Sequence, residues 1–173
     1  MKLFGTMRGR SAFVGLAAAL LAVGAATIPA LAAPQTISFT LSGSDTTYPT
    51  ACPPSLPAGS FCGTGTGNLS GTFGTVTEQF ASVVLFGVVD KNGCNPDSSV
   101  VTLTTSSGQI FVTTQGAFCQ ATGVDTEQFT ITGGTGAFAG ASGSGTIIAN
   151  PTGPTAGGGL GATETYTGTI TVR

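Results

Sequence analysis

Glu127-Gln-Phe-Thr-Ile-Thr-Gly-Gly-Thr-Gly-Ala-Phe-Ala-Gly-Ala-Ser-Gly-Ser-Gly145 reads as a strand, a glycine-rich reversal and the opening of a second strand. Glu127, Phe129 and Ile131 alternate with Gln128, Thr130 and Thr132, so the two sets face opposite sides of an extended chain. Glycine reaches backbone angles barred to other residues, and its density after Thr132 marks a tight turn.

The same period of two recurs outward from this stretch. Ile37, Phe39 and Leu41 alternate with Thr36, Ser38, Thr40 and Ser42, which predicts a half-buried first strand. Further strand-like runs are predicted at 69–76, 77–89, 99–105, 109–118, 124–132, 137–149 and 162–172. Breaks fall at Asp90-Lys-Asn-Gly93, at Ser106-Ser-Gly108 and at the Gly-Gly-Thr-Gly turn. Residues 43–67, with Pro49, Pro53, Pro54 and Pro57, two cysteines and several glycines, read as a disulfide-pinned loop; residues 150–159 read as another. No helical period follows residue 32. The fold class is therefore all-β: a single antiparallel eight-stranded β-barrel, which leaves no open edge, with a two-sheet β-sandwich as the alternative. Gly74-Thr-Val-Thr-Glu-Gln-Phe80 also matches Gly123-Val-Asp-Thr-Glu-Gln-Phe129 at five positions, with a looser copy at Ala162-Thr-Glu-Thr-Tyr166, consistent with duplicated hairpins or with chance in a Thr- and Gly-rich chain.

Residues 1–32 stand apart. Lys2, Arg8 and Arg10 precede an apolar run from Ala12 to Ala26, and Pro29 leads into Ala30-Leu31-Ala32, a small-x-small cleavage site. This is the pattern of a secretory signal peptide, so a secreted domain of residues 33–173 is expected, with no stable membrane span after processing. Its removal leaves Lys91 and Arg173 against all seven acids, a net charge of −5. Two cations cannot neutralise a phosphate backbone or draw the chain to an anionic membrane, so no nucleic acid is expected as a partner. Cys52, Cys62, Cys94 and Cys119 all lie in the exported part, and an even count there reads as two disulfides. Cys52–Cys62 with Cys94–Cys119 is the favoured connectivity of the three, because each bond staples a local excursion.

The residues that could carry chemistry are few. On their strands Glu78 shares a face with Phe80, Glu127 with Phe129, and Glu164 with Tyr166, so three carboxyls point with large apolar groups. If those faces line a lumen, desolvation raises proton affinity and one carboxyl can serve as a general acid or base; Glu78, Glu127 and Glu164 are the catalytic candidates. The favoured placement is blander: each follows a glycine-containing turn by a few residues and is expected at the wet rim, its methylenes over the core. With no histidine, serine and cysteine triads are excluded, and neither metal nor cofactor is expected. Asp90-Lys-Asn-Gly-Cys-Asn-Pro-Asp97 offers oxygen ligands for calcium but lacks the EF-hand spacing, and reads as a solvated turn.

Gly133-Gly-Thr-Gly-Ala-Phe-Ala-Gly-Ala-Ser-Gly-Ser-Gly145 resembles the Gly-Gly-Thr-Gly-x-Phe-x-x-Ala-x-Gly signature of dirigent proteins and allene oxide cyclases. The resemblance implies a small antiparallel barrel in which Gly133, Gly134 and Gly136 form a hairpin and Phe138 packs inward. Members of these families bind hydrophobic or phenolic compounds and steer cyclisation or radical coupling. Their catalytic residues lie outside the matched turn, and none is carried over. Two functions stay open: a non-catalytic extracellular barrel that binds a small hydrophobic ligand or plays a structural role, which is favoured, and a cofactor-free isomerase or cyclase using lumen glutamates. Phe80, Phe129 and Tyr166 are the candidate ligand contacts, and association into a homo-oligomer is left open.

Overall fold

Eight antiparallel strands close into a barrel in the computed structural model, which describes residues 33–173. The expected signal peptide lies outside the described residues. The strands are β1 (Gln35–Thr50), β2 (Phe61–Gly71), β3 (Gly74–Val84), β4 (Cys94–Thr105), β5 (Gly108–Cys119), β6 (Val124–Gly134), β7 (Ser142–Pro154) and β8 (Leu160–Val172). Each pairs with its chain neighbour, and β1 closes on β8 from Gln35 opposite Val172 to Thr47 opposite Leu160. The sheet is therefore one closed up-and-down barrel rather than two stacked sheets.

Alternation along each strand decides what faces inward. Phe39, Leu41, Leu69, Val76, Leu103, Ile110, Val112, Phe129, Ile131 and Ile170 fill one half of the lumen, and each fully buried side chain of this size contributes about 1.5–3 kcal/mol. Threonine and serine occupy the outer positions, where they bond across strands, as in Thr36 Oγ1 to Thr171 Oγ1 at 2.8 Å and Ser42 Oγ to Thr165 Oγ1 at 3.1 Å.

The two ends differ. The start of β1, the end of β8 and the β2–β3, β4–β5 and β6–β7 turns lie at one end, which is shut. There a 3-10 turn, Gly136–Phe138, tucks the buried Phe138 ring edge-on to Phe73 at 5.5 Å, and Phe73 lies 5.1 Å from Phe39. Gly136 takes φ +60°, and a Cβ on it would stand 2.3 Å from the Ser107 carbonyl oxygen, so the Gly-Gly-Thr-Gly run is a plug as well as a turn. At the opposite end the β1–β2 and β3–β4 connections are longer. Disulfides Cys52–Cys62 and Cys94–Cys119 brace that end with the connectivity favoured from the sequence, the second joining directly opposed residues of β4 and β5.

Several predicted boundaries move. Residues 43–67 are not one loop: β1 continues to Thr50, β2 begins at Phe61, and only 51–60 connects them. The run at 77–89 ends as a strand at Val84, the run at 137–149 begins only at Ser142, and β7 extends through Pro151 to Pro154. The repeated segments fall on β3, β6 and β8. Because β3 runs toward the open end and β6 away from it, rotation about the barrel axis does not relate the two closest copies.

Candidate functional site

Above the packed half, the open end holds a cavity of about 280 Å³. Six of the seven acids line it: Asp45, Glu78, Asp97, Asp125, Glu127 and Glu164. Neither Lys91 nor Arg173, the two cations among the described residues, does so. The remainder of the lining is largely apolar, including Phe80, Val84, Ile147, Ala149 and Tyr166. Phe61, Phe86 and Phe118 make an aromatic lip, with ring centroids 6.4 Å apart for Phe61–Phe86 and 6.0 Å for Phe86–Phe118. The loop that carries Phe86 is pinned by buried Asn95, whose Nδ2 donates to the Phe86 and Val88 carbonyls at 3.3 and 2.8 Å while Gln120 Nε2 donates to its Oδ1 at 2.9 Å.

Strand β2 makes the room. Its inward positions opposite β3 are Gly65 and Gly67, and Cβ atoms there would come within 2.2 Å of Phe80 Cζ and 2.6 Å of Glu78 Oε2. The absent side chains are filled by the β3 residues that reach into the site.

One group of acids centres on Tyr166. Its hydroxyl donates to Glu78 Oε1 within the barrel, and Glu78 is only 1 % exposed. Burial, and then the neighbouring Glu78, hold the Tyr166 phenol well above its ordinary range, so it stays a donor. Burial also pushes the Glu164 carboxyl far above the carboxylate range, helped by the neighbouring Glu78 carboxyl. Asp45, half-buried at the edge of this group, is raised to about 7 by burial and by Glu78. Glu78 Oε2 and Glu164 Oε1 are buried without a hydrogen-bond partner. An unpaired buried carboxylate is costly, so for Glu164 holding a proton is the cheaper state.

The second group joins β4 to β6 across β5. Carboxyl oxygens of Asp97, Asp125 and Glu127 all lie within 4.8 Å of one another, and Ser99 Oγ donates to Glu127 Oε1 at 3.4 Å. Burial, with Glu127 alongside, raises Asp97 to about 11. Asp125 rises to about 6 through burial, opposed by a hydrogen bond with Asp97. Asp97 Oδ1 and Asp125 Oδ1 have no partner.

The rim placement of the glutamates does not hold: Glu78, Glu127 and Glu164 are 1, 8 and 7 % exposed. The turn preceding Glu78 is at the shut end, so four residues on it stands mid-barrel. Glu127 and Glu164 follow open-end turns, but the strands and loops there rise past them. Phe80 and Tyr166 line the cavity; Phe129 lies beneath it, 5.9 Å from Tyr166 and 5.9 Å from Phe39. Gly133, Gly134, Gly136 and Phe138 belong to the shut end. Asp45 and Asp125 are site residues the sequence did not single out, although Asp45 sits on the inward period of Phe39 and Leu41, and Asp125 on that of Glu127; Asp97, read as part of a solvated turn, is instead buried on β4 and faces the cavity. Asp90 is outside the site: its Oδ1 accepts from the Asn92 and Cys94 backbone N–H at 2.7 and 2.9 Å, forming the turn and lowering its pKa.

No family model matches the chain, and no curated protein matches it. Among solved structures, a pyocyanin demethylase aligns over 78 % of this chain and 99 % of its own, with 16 % identity and a TM-score of 0.41. A pterocarpan synthase dirigent protein aligns over 82 % of this chain and 86 % of its own, with 15 % identity and a TM-score of 0.26.

Proposed function

We propose that this protein is an exported binding barrel of the dirigent and allene oxide cyclase type, which takes a small, largely apolar molecule carrying a positively charged or strongly hydrogen-bond-donating group into its open end. The observation that carries this reading is the cavity wall: aromatic and aliphatic surface interrupted by six acids and no cation. Apolar walls favour an apolar body, while buried carboxyl oxygens without partners favour a ligand that supplies donors or positive charge, and disfavour an anion. Two disulfides fit an oxidising compartment, and among the described residues no helix is long and apolar enough to cross a membrane. The test is calorimetry at pH 7 with an aromatic ammonium compound and its uncharged isostere of equal size. Binding of the cation at least about tenfold tighter (about 1.4 kcal/mol), with that preference reduced in Glu78→Gln, supports the reading. Equal affinity, or preference for an anionic analogue, overturns it.

A second function is favoured by one specific arrangement. Tyr166, Glu78 and Glu164 form a chain in which a protonated carboxyl and a phenol border a third oxygen acid, so a proton can be given and taken within one apolar cavity. That suits a cofactor-free isomerase or cyclase. Single substitution of Glu78, Glu127 and Glu164 by Gln tests it on any substrate found; unchanged turnover in all three removes the carboxyl mechanism.

A further inference from the structure

The Asp97, Asp125 and Glu127 group has features that ligand binding by the rest of the cavity leaves unexplained. Three acids from two non-adjacent strands bring oxygens within 4.8 Å of one another. Asp97, a member of this group, is 8 % exposed and its Oδ1 is enclosed without a partner; Asp125 Oδ1 is likewise without one. No basic side chain among those lining the cavity faces them. The Ser99 hydroxyl, an oxygen as well, bonds Glu127 beside them.

We propose that Asp97, Asp125 and Glu127 bind a calcium-sized divalent cation inside the barrel mouth. All donors are hard carboxyl oxygens, which suit Ca²⁺, Mg²⁺ or Mn²⁺ rather than thiophilic metals. Ca²⁺ holds oxygens at about 2.3–2.6 Å and so bridges atoms up to roughly 5 Å apart, whereas Mg²⁺ at about 2.0–2.1 Å requires a tighter octahedron. Oxygens that all lie within 4.8 Å of one another can close on an ion of Ca²⁺ size. Its remaining positions are open to water entering through the mouth. Bound there, the ion ties β4 to β6 across β5 and offsets most of the negative charge the three acids carry when ionised. The inference goes beyond the proposed ligand binding and does not rest on it, since Tyr166, Glu78, Glu164 and Asp45 lie outside the triad.

The experiment strips the purified full-length protein with EDTA and titrates it with CaCl₂ and MgCl₂ at pH 7.5 by calorimetry, with thermal melts alongside. Saturable one-to-one binding of Ca²⁺, at least about tenfold tighter than Mg²⁺, is expected, together with a higher melting temperature in millimolar Ca²⁺. Asp97→Asn and Glu127→Gln, each checked for retained β-sheet by circular dichroism, should weaken Ca²⁺ binding at least tenfold. Asp90→Asn, in the exposed turn, should leave it within twofold. No saturable Ca²⁺ heat and no Ca²⁺-dependent melting shift overturns the proposal, as does binding that survives both triad substitutions or is lost in Asp90→Asn. Failure of the organic-cation test above, by contrast, leaves these readouts unmoved.

Discussion

Tyr166 and Glu78 meet from β8 and β3, on opposite sides of the lumen, and each gives the other its one buried hydrogen bond. Tyr166→Phe removes the donor but leaves the Glu78 oxygen enclosed, so a loss of about 1–3 kcal/mol in denaturant unfolding is expected. Glu78→Gln keeps the acceptor for Tyr166 and adds an amide donor beside the unpartnered Glu164 oxygen; its unfolding midpoint should equal or exceed that of the parent. At this scale the sequence was half legible. Period two placed Glu78, Glu127 and Glu164 on apolar faces, but it could not say which end of a barrel each preceding turn would occupy, and that decides rim or interior. Asp97 and Glu127 come together only because β4 and β6 flank β5 in a closed sheet, a relation no local pattern encodes.

Among the elements, β2 was the one least visible beforehand, for a physical reason. Strands announce themselves by large apolar residues at every second position, and a cavity is built by leaving those out. In Phe61-Cys-Gly-Thr-Gly-Thr-Gly-Asn-Leu-Ser-Gly71 the inward positions after Phe61 at the lip carry glycine until Leu69, where the packed half begins. The alternation fades along this wall of the site, so the upper part of β2 was missed, while β6 and β8, whose inward faces carry aromatics, were found. Gly65→Ala tests this account. Its methyl group would meet Phe80 Cζ at 2.2 Å and the Thr46 carbonyl oxygen at 2.7 Å, and backbone cannot step aside. A destabilisation of about 1–3 kcal/mol is expected in urea unfolding, with ligand capacity reduced as Phe80 is driven into the cavity.

The whole molecule carries its acids in an unusual place, and its pH response follows. Asp45, raised to about 7, and Glu164, raised far higher, hold protons in the folded protein that the unfolded chain releases near an ordinary carboxyl pKa of about 4. Between those limits the folded state binds more protons, so stability is greatest below about pH 4 and falls as pH rises, through about 7 for Asp45 and on into the alkaline range for Glu164. In EDTA, the melting temperature at pH 4 should exceed that at pH 8 by at least about 4 °C, the shift that roughly 1 kcal/mol produces in a domain of this size. A flat or inverted profile would show that the lumen acids are solvated in the native state. Of the charged residues described, only Asp90, Lys91 and Arg173 stand on the exterior amid a coat of threonine and serine hydroxyls. Because Glu164 keeps its proton at neutral pH and Asp45 keeps part of one, the native particle should drift toward the anode more slowly in an electric field than its composition implies. Denaturation releases those protons and quickens the drift, so capillary electrophoresis can tell molecules that have opened from those that have not.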